Sequence, residues 1–196
     1  MPSLNDGLNW SGANGIGAIV TSRPGAVPVT TVADAFKTDT GEPTKDLLPA
    51  GMLLYKFAGG ATWRWQQPNP PPADFVISPW WSPVLPYKND GGLAERMKLA
   101  ALLGVSFREW GRLTSVIMED WSDLSWVLQI QLAKPVTGWF GRFKGMKRVG
   151  NPADSKRNAA VEKAGKGGNL PGGGTQFYIP NMTYGEYVSS EQWKNI

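Results

Sequence analysis

Cysteine and histidine are both absent from the 196 residues of the chain. Without them there is no thiolate or imidazole to hold a metal, no cysteine nucleophile, no serine activated by histidine and no redox-active dithiol. Any chemistry must run on carboxylates, amides, hydroxyls, lysine, arginine and the backbone, and no suitable cluster of metal ligands is visible. Folding should be indifferent to the redox state of the compartment. Long apolar runs are missing too. Nothing approaches the roughly 20 residues of a membrane span, and the opening "MPSLNDGLNW" lacks the basic and apolar regions of a signal peptide. A soluble chain is expected, with any export by another route.

What is present has the balance of an ordinary globular domain, 41% hydrophobic and 18% charged with a net charge of +4. The positive excess is local, between Arg142 and Lys166, where only Asp154 and Glu162 oppose it. Such a segment either attracts phosphates or forms a solvated loop. The stretch "VGNPADSKRNAAVEKAGKGGN" is poor in large apolar residues, which favours the loop. No aromatic residue stands between Lys144 and Lys166, which argues against a stacking groove for single strands there, and no stable nucleic-acid or membrane binding is expected of the chain.

Along the chain, residues 1–45 read as a loosely packed lead-in rich in Gly, Pro, Ser and Thr, and residues 46–196 as one domain. A strand is expected from about Met52 to Phe57, and "QQPNPPPAD" (66–74) must be a surface loop. Phe75 to Ser78 reads as a strand running into proline-punctuated turns that carry Trp80, Trp81 and Ser82. In "GGLAERMKLAALLG", Leu93, Met97, Ala100, Ala101 and Leu103 fall on one helix face, with Gly104 as a stop. A second helix opens at Ser106, which stands in capping-box spacing to Glu109. "SWVLQIQLAKP" alternates as a strand, with Trp126, Leu128, Ile130 and Leu132 on one face. "TQFYIP" is a further strand, and "YGEYVSSEQWKNI" a short terminal helix or turn. Helices in the middle and strands on both sides make an α+β domain with mostly antiparallel pairing.

The stretch "LPGGGTQFYIP" (170–180) is the most unusual in the chain. Three consecutive glycines free the backbone just before a polar amide, Gln176. Either something approaches that backbone closely, or a flexible loop feeds an edge strand that Pro180 ends.

Three blocks, "LLPAGMLLYKFAGG", "ISPWWSP" and "LPGGGTQFYIP", with "WVLQIQLAKPVTGWFGRF" between the last two, resemble the ADP-ribosyltransferase superfamily of bacterial polymorphic toxins. The form they are most similar to is the NAD-glycohydrolase group that includes the tuberculosis necrotizing toxin. The resemblance spans about Leu48 to Pro180 in pieces, with "PGGGTQ" its most specific part. It implies antiparallel sheets forming an NAD-binding cleft, with NAD+ as substrate, no metal and no other cofactor. It implies Gln176 nearest the nicotinamide ribose, Gly172, Gly173 and Gly174 shaping the backbone before it, and Ser82 supporting the site, with Ser78 competing for that role. Lys56 stands where the family has a phosphate-holding arginine. Tyr55, Trp81 and Arg142 complete the expected NAD-binding residues, and Arg64 is an alternative to Arg142 as the phosphate partner. Two departures are plain: the lysine is a point charge instead of a bidentate fork, and the histidine of the glycohydrolase site is missing.

The chemistry fits a chain without histidine. Cleaving the bond from ribose to nicotinamide expels a neutral leaving group, so no general acid is required, and the developing cation resembles that of glycoside hydrolysis. A glutamine can accept from a ribose hydroxyl but carries no negative charge, which ranks hydrolysis by water above ADP-ribosyl transfer to a protein or nucleic acid. The resemblance further implies a secreted effector acting in the cytoplasm of a target cell, and a cognate immunity protein. Gln176 is expected at a cleft, outside the core. A different class stays open: with 10 tryptophans, several of them on Pro-rich loops, a non-enzymatic binding module is conceivable. For any one tryptophan core packing is the better expectation, and Glu109, Glu119 and Asp120 read more simply as solvated faces or caps than as catalytic acids.

Overall fold

A computed structural model describes residues 36–59, 71–119, 122–148 and 168–196. The expectations for residues 1–35, for Trp63, Arg64, Trp65, Asp120 and Trp121, and for most of the basic segment lie outside these.

Among the described residues, nine strands and three helices run in the order β1 (Thr44–Leu48), β2 (Leu53–Ala58), β3 (Trp80–Pro83), α1 (Gly92–Leu102), α2 (Phe107–Ser115), β4 (Trp126–Leu132), β5 (Val136–Arg142), β6 (Met146–Lys147), β7 (Asn169–Leu170), β8 (Thr175–Tyr178), α3 (Tyr184–Tyr187) and β9 (Val188–Asn195). Seven of the strands form one sheet in the order β1-β5-β8-β3-β2-β4-β9, and β6 pairs with β7 apart from it. Every named strand pair is antiparallel, and the class is α+β as expected.

The sheet is covered on both faces. Alternation sends Leu54, Trp81, Leu128, Ile130, Phe140 and Phe177 to one face, where Ile77, Met182 and Tyr187 join the main core. The other face carries Tyr55, Phe57 and Val127, packed with Leu124 against Leu93 of α1 and Phe107 of α2. The two helices therefore lie over the β2 side of the sheet. Helix α2 begins as its sequence implies, with the Ser106 hydroxyl accepting from the Glu109 N–H at 3.1 Å. Only half of a capping box forms, because the Glu109 carboxylate turns to Arg148 instead. Gly111 is required at its position: a Cβ there would lie 2.2 Å from the Phe57 ring.

Several expectations need correction. Helix α1 does not bury the stripe of Met97, Ala101 and Leu103, which are exposed, but Gly92, Arg96 and Ala100. The strand expected at Phe75–Ser78 is reduced to one bridge, Val76 to Thr183, and the strand forms instead at Trp80–Pro83, inside the proline-punctuated turns. The C-terminal stretch is a strand along β4 after one turn of helix. β8 is no edge strand but lies between β5 and β3. From the lead-in, Phe36 is buried and bridges Phe143, and the Lys37 N–H donates to the Arg142 carbonyl at 2.9 Å.

Candidate functional site

The three segments that carry the family resemblance become three neighbouring strands, β8, β3 and β2. Tyr55 and Ser82 are direct cross-strand partners, and Trp81 is the partner of Phe177, which places Gln176 one position along β8 beside Ser82. Residues scattered over more than a hundred positions thus meet on a few square nanometres of sheet, because antiparallel register fixes which side chains share a face.

A buried arginine ties these strands together. Arg96, only 4% exposed, reaches from α1 into the end of the sheet where the pairing of β3 with β8 stops at Trp81 and Phe177. Its Nη1 donates to the Tyr55 hydroxyl at 2.9 Å and to Ser82 Oγ at 3.0 Å. Its Nη2 donates to the Thr175 carbonyl at 2.6 Å and to a carboxylate oxygen of Asp90, whose other oxygen accepts from Nε at 3.2 Å. All five N–H donors of the guanidinium have a route to an acceptor. Asp90 is itself held, accepting from the Gly92 N–H at 2.8 Å and from the Thr175 hydroxyl. The charge is therefore matched by one bidentate carboxylate and the remaining donors by neutral oxygens, the arrangement that makes a buried ion pair tolerable. Burial works against the Arg96 cation, yet Tyr55 and Asp90 more than offset it and hold its pKa above the ordinary arginine value. Burial raises the Tyr55 hydroxyl pKa, with Arg96 opposing.

The glycine triplet has an occupant of its own. The N–H groups of Gly172 and Gly174 donate to the Leu113 and Thr114 carbonyls at the end of α2, at 3.1 and 3.2 Å, and that of Gly173 to the Phe143 carbonyl at 3.1 Å. A Cβ on Gly172 would stand 2.6 Å from the Phe143 oxygen, and one on Gly174 2.8 Å from the Thr114 oxygen. Gly173 differs: no described atom lies within 4 Å of its Cβ position. Two of the three glycines therefore admit the chain's own backbone, which satisfies the carbonyls left over at a helix C-terminus, and the third meets no described residue.

The expected site residues divide between the two faces. Tyr55, Ser82 and Gln176 lie on one, whereas Lys56, next to Tyr55, points to the other, with its Nζ 5.6 Å over the ring of Trp81. Gln176 is not at an open cleft: its side chain is 1% exposed, and Phe36 packs against Gly141, its cross-strand partner. Ser78 binds locally, its hydroxyl accepting from the Trp80 N–H at 3.4 Å. Arg142 is exposed at the end of β5, opposite Thr175. Trp81, Trp110 and Trp139 are core residues.

A second ionic cluster absorbs the carboxylates of α2 and the loop after it. Arg148 donates to Glu109 at 2.7 Å and to Glu119 at 2.9 Å, and Arg112 Nε lies 3.3 Å from the same Glu119 oxygen. These two glutamates are neither simple solvated faces nor free acids. One arginine of the basic segment is thereby neutralised internally. Among the described residues there is no group of three or more His, Cys, Asp or Glu placed to hold a metal ion, and no helix long and apolar enough to cross a membrane.

Arg96 and Asp90 were not readable as site residues, since their spacing fits no motif and their partners come from three strands. The one available signal was an arginine whose neighbours one helical turn away, Gly92, Leu93, Leu99 and Ala100, are all uncharged. Compared with family models, with curated proteins and with solved structures, the chain finds no match.

Proposed function

We propose that the chain is the NAD-cleaving domain of a toxin, with an ADP-ribosyltransferase-like sheet, and that it hydrolyses the bond between nicotinamide and ribose. The observation that carries the reading is the adjacency of β8, β3 and β2, the strands formed by the three resembling segments, with Tyr55, Ser82 and Gln176 on one face. On this reading the substrate enters at the glycine end of β8, where no described atom lies within 4 Å of the Gly173 Cβ position, while Arg142, two positions after Phe140, falls by alternation on the opposite face. Lys56 and Trp81, on the opposite face, contribute packing.

The reaction balances simply. Water adds to the anomeric carbon, the carbon–nitrogen bond breaks, its electron pair neutralises the pyridinium, and ADP-ribose, nicotinamide and a proton are released. The Gln176 amide oxygen accepts from a ribose hydroxyl and orients the ring as positive charge develops. Because Gln176 is covered in this form, productive binding requires the contact around Gly141 and Phe36 to open.

The test is incubation of the purified chain with NAD+ and chromatography for free nicotinamide and ADP-ribose, with and without a chelator. Release of both products unaffected by chelation is expected. Nicotinamide release with ADP-ribose retained on protein or nucleic acid would indicate transfer instead, and no release would overturn the reading. In an active chain Gln176→Ala should lower turnover about a hundredfold, the scale of one lost polar transition-state contact.

A further inference from the structure

Among the described residues Arg96 is the one guanidinium that contacts all three strands of the candidate site, and its five N–H donors are all engaged. Its contacts fall on Tyr55 of β2, on Ser82 of β3 and on the Thr175 carbonyl of β8. Thr175 immediately precedes Gln176, and regular pairing of β3 with β8 ends one step away, at Trp81 and Phe177. Beyond that step no ladder bond fixes β8 against β3. Arg96 takes over, and the Ser82 hydroxyl reaches the same Thr175 carbonyl at 3.4 Å. Asp90 closes the arrangement from the loop before α1 and grips the Thr175 hydroxyl as well. The start of β8 is thus held by the backbone ladder on its β5 side, where Arg142 and Gly141 pair with Thr175 and Gln176, but by side chains on its β3 side, where the ladder has ended.

We propose, building on the NAD-cleaving reading above, that Arg96 is a positioning residue of the site: it touches no substrate, but by clamping Thr175 it sets where Gln176 stands relative to Ser82 and Tyr55. The design favours a guanidinium over an ammonium. Lysine would keep a charge beside Asp90 yet bring three donors where five are used, and in no fixed plane. Some of the Tyr55, Ser82 and Thr175 oxygens would lose their donor, and the start of β8 would be held by its β5 ladder alone, able to shift relative to β3. Since small misplacements of a reacting group lower turnover more than they lower affinity, the effect should fall on kcat.

The experiment compares Arg96→Lys, Thr175→Val and a remote control, Ile130→Val, in the full chain. Two readouts are used: steady-state NAD+ cleavage, and the side-chain amide resonances of Gln176 in a nitrogen-labelled sample. For Arg96→Lys, kcat is expected to fall at least about tenfold with KM changed less than about threefold, and the Gln176 amide signals to move. Thr175→Val, which removes only the hydroxyl shared with Asp90 and Arg96, should give a smaller change of the same kind. Ile130→Val should change neither readout. A kcat for Arg96→Lys within twofold of the control, or unmoved Gln176 signals in both site variants, overturns the proposal. If Arg96→Lys does not fold, Thr175→Val decides by the same readouts. If the native chain releases no nicotinamide, the functional reading fails on its own, and the positioning role is then judged by the Gln176 signals alone: displacement supports it and constancy refutes it.

Discussion

Substituting alanine one position at a time through Gly172, Gly173 and Gly174 should separate three physical roles that the sequence presents as one. At Gly173, φ is +90° and the Cβ position has no described atom within 4 Å, so only backbone strain is added. A left-handed conformation costs an L-residue about 1–2 kcal/mol, and the loss of glycine's freedom in the unfolded chain returns about 0.4–1 kcal/mol. Gly173→Ala should therefore destabilise by about 1 kcal/mol or less. At Gly172, φ is +70° and the added carbon would also stand 2.6 Å from the Phe143 oxygen and 3.0 Å from the Gly145 nitrogen. Both neighbours are backbone and cannot rotate aside, so an overpacking cost of about 1–3 kcal/mol adds to the strain, and Gly172→Ala should lose about 2–4 kcal/mol. Gly174 has no such φ, but its added carbon would meet the Thr114 oxygen at 2.8 Å and Thr114 Cβ at 3.1 Å. Relief of that contact moves β8 away from α2 and weakens the bond to the Thr114 carbonyl, giving an intermediate loss of about 1–2 kcal/mol.

Urea unfolding followed by tryptophan fluorescence reads all three. The order Gly172→Ala, then Gly174→Ala, then Gly173→Ala is the prediction. Equal losses at Gly172 and Gly173 would refute the argument from close approach, because strain alone would then explain both. The same set bears on function. If a dinucleotide approaches this backbone, Gly173→Ala should raise KM for NAD+ while barely changing stability. Unchanged KM would remove Gly173 from the binding surface.

How far the fold could be read in advance follows from what periodicity registers. The start of α2 was legible because a cap is a local event between Ser106 and Glu109. β4 was legible because Leu128, Ile130 and Leu132 alternate into a core on one side. The buried face of α1 was not, since apolar spacing gives no weight to an arginine, and Arg96 becomes a core residue only through Asp90 and three strands. β9 escaped because "VSSEQWKN" has no alternation of its own, and its pairing with β4 decides its state. The prolines around "WWSP" read as breakers, yet Pro79 precedes β3 and Pro83 ends it, positions where a missing N–H is tolerated. Of the two readings the glycine triplet allowed, a loop feeding an edge strand and a place of close approach, the structure bears out the second at Gly172 and Gly174. What approaches Gly172 and Gly174, however, is the chain's own Phe143 and Thr114, contacts that only the tertiary structure supplies.

The same geometry fixes three further outcomes. Asp90→Asn keeps the shape but leaves the Arg96 cation buried without a counter-charge, and should cost about 3–5 kcal/mol in urea unfolding, where a loss below 1 kcal/mol would contradict the burial. Burial raises the Glu191 pKa, with the Trp193 indole opposing, so the folded state holds that proton more tightly than the unfolded chain does. Stability should then fall as the pH rises above the ordinary carboxylate range, and Glu191→Gln should be more stable than the native chain at neutral pH but not in acid. Gln176→Glu places a carboxylate at a position only 1% exposed. Arg96, the buried cation of the site, already uses its donors on Asp90, Tyr55, Ser82 and Thr175. A glutamate there would be desolvated without a cation to itself, so its pKa should rise, and the variant should approach native stability in acid and lose about 2–4 kcal/mol once the group ionises. Unfolding curves at acid and alkaline pH measure that difference directly. A loss that is the same at both would mean that Gln176 is open to water, and the covered state of β8, together with the need for Phe36 to move before substrate can bind, would have to be given up.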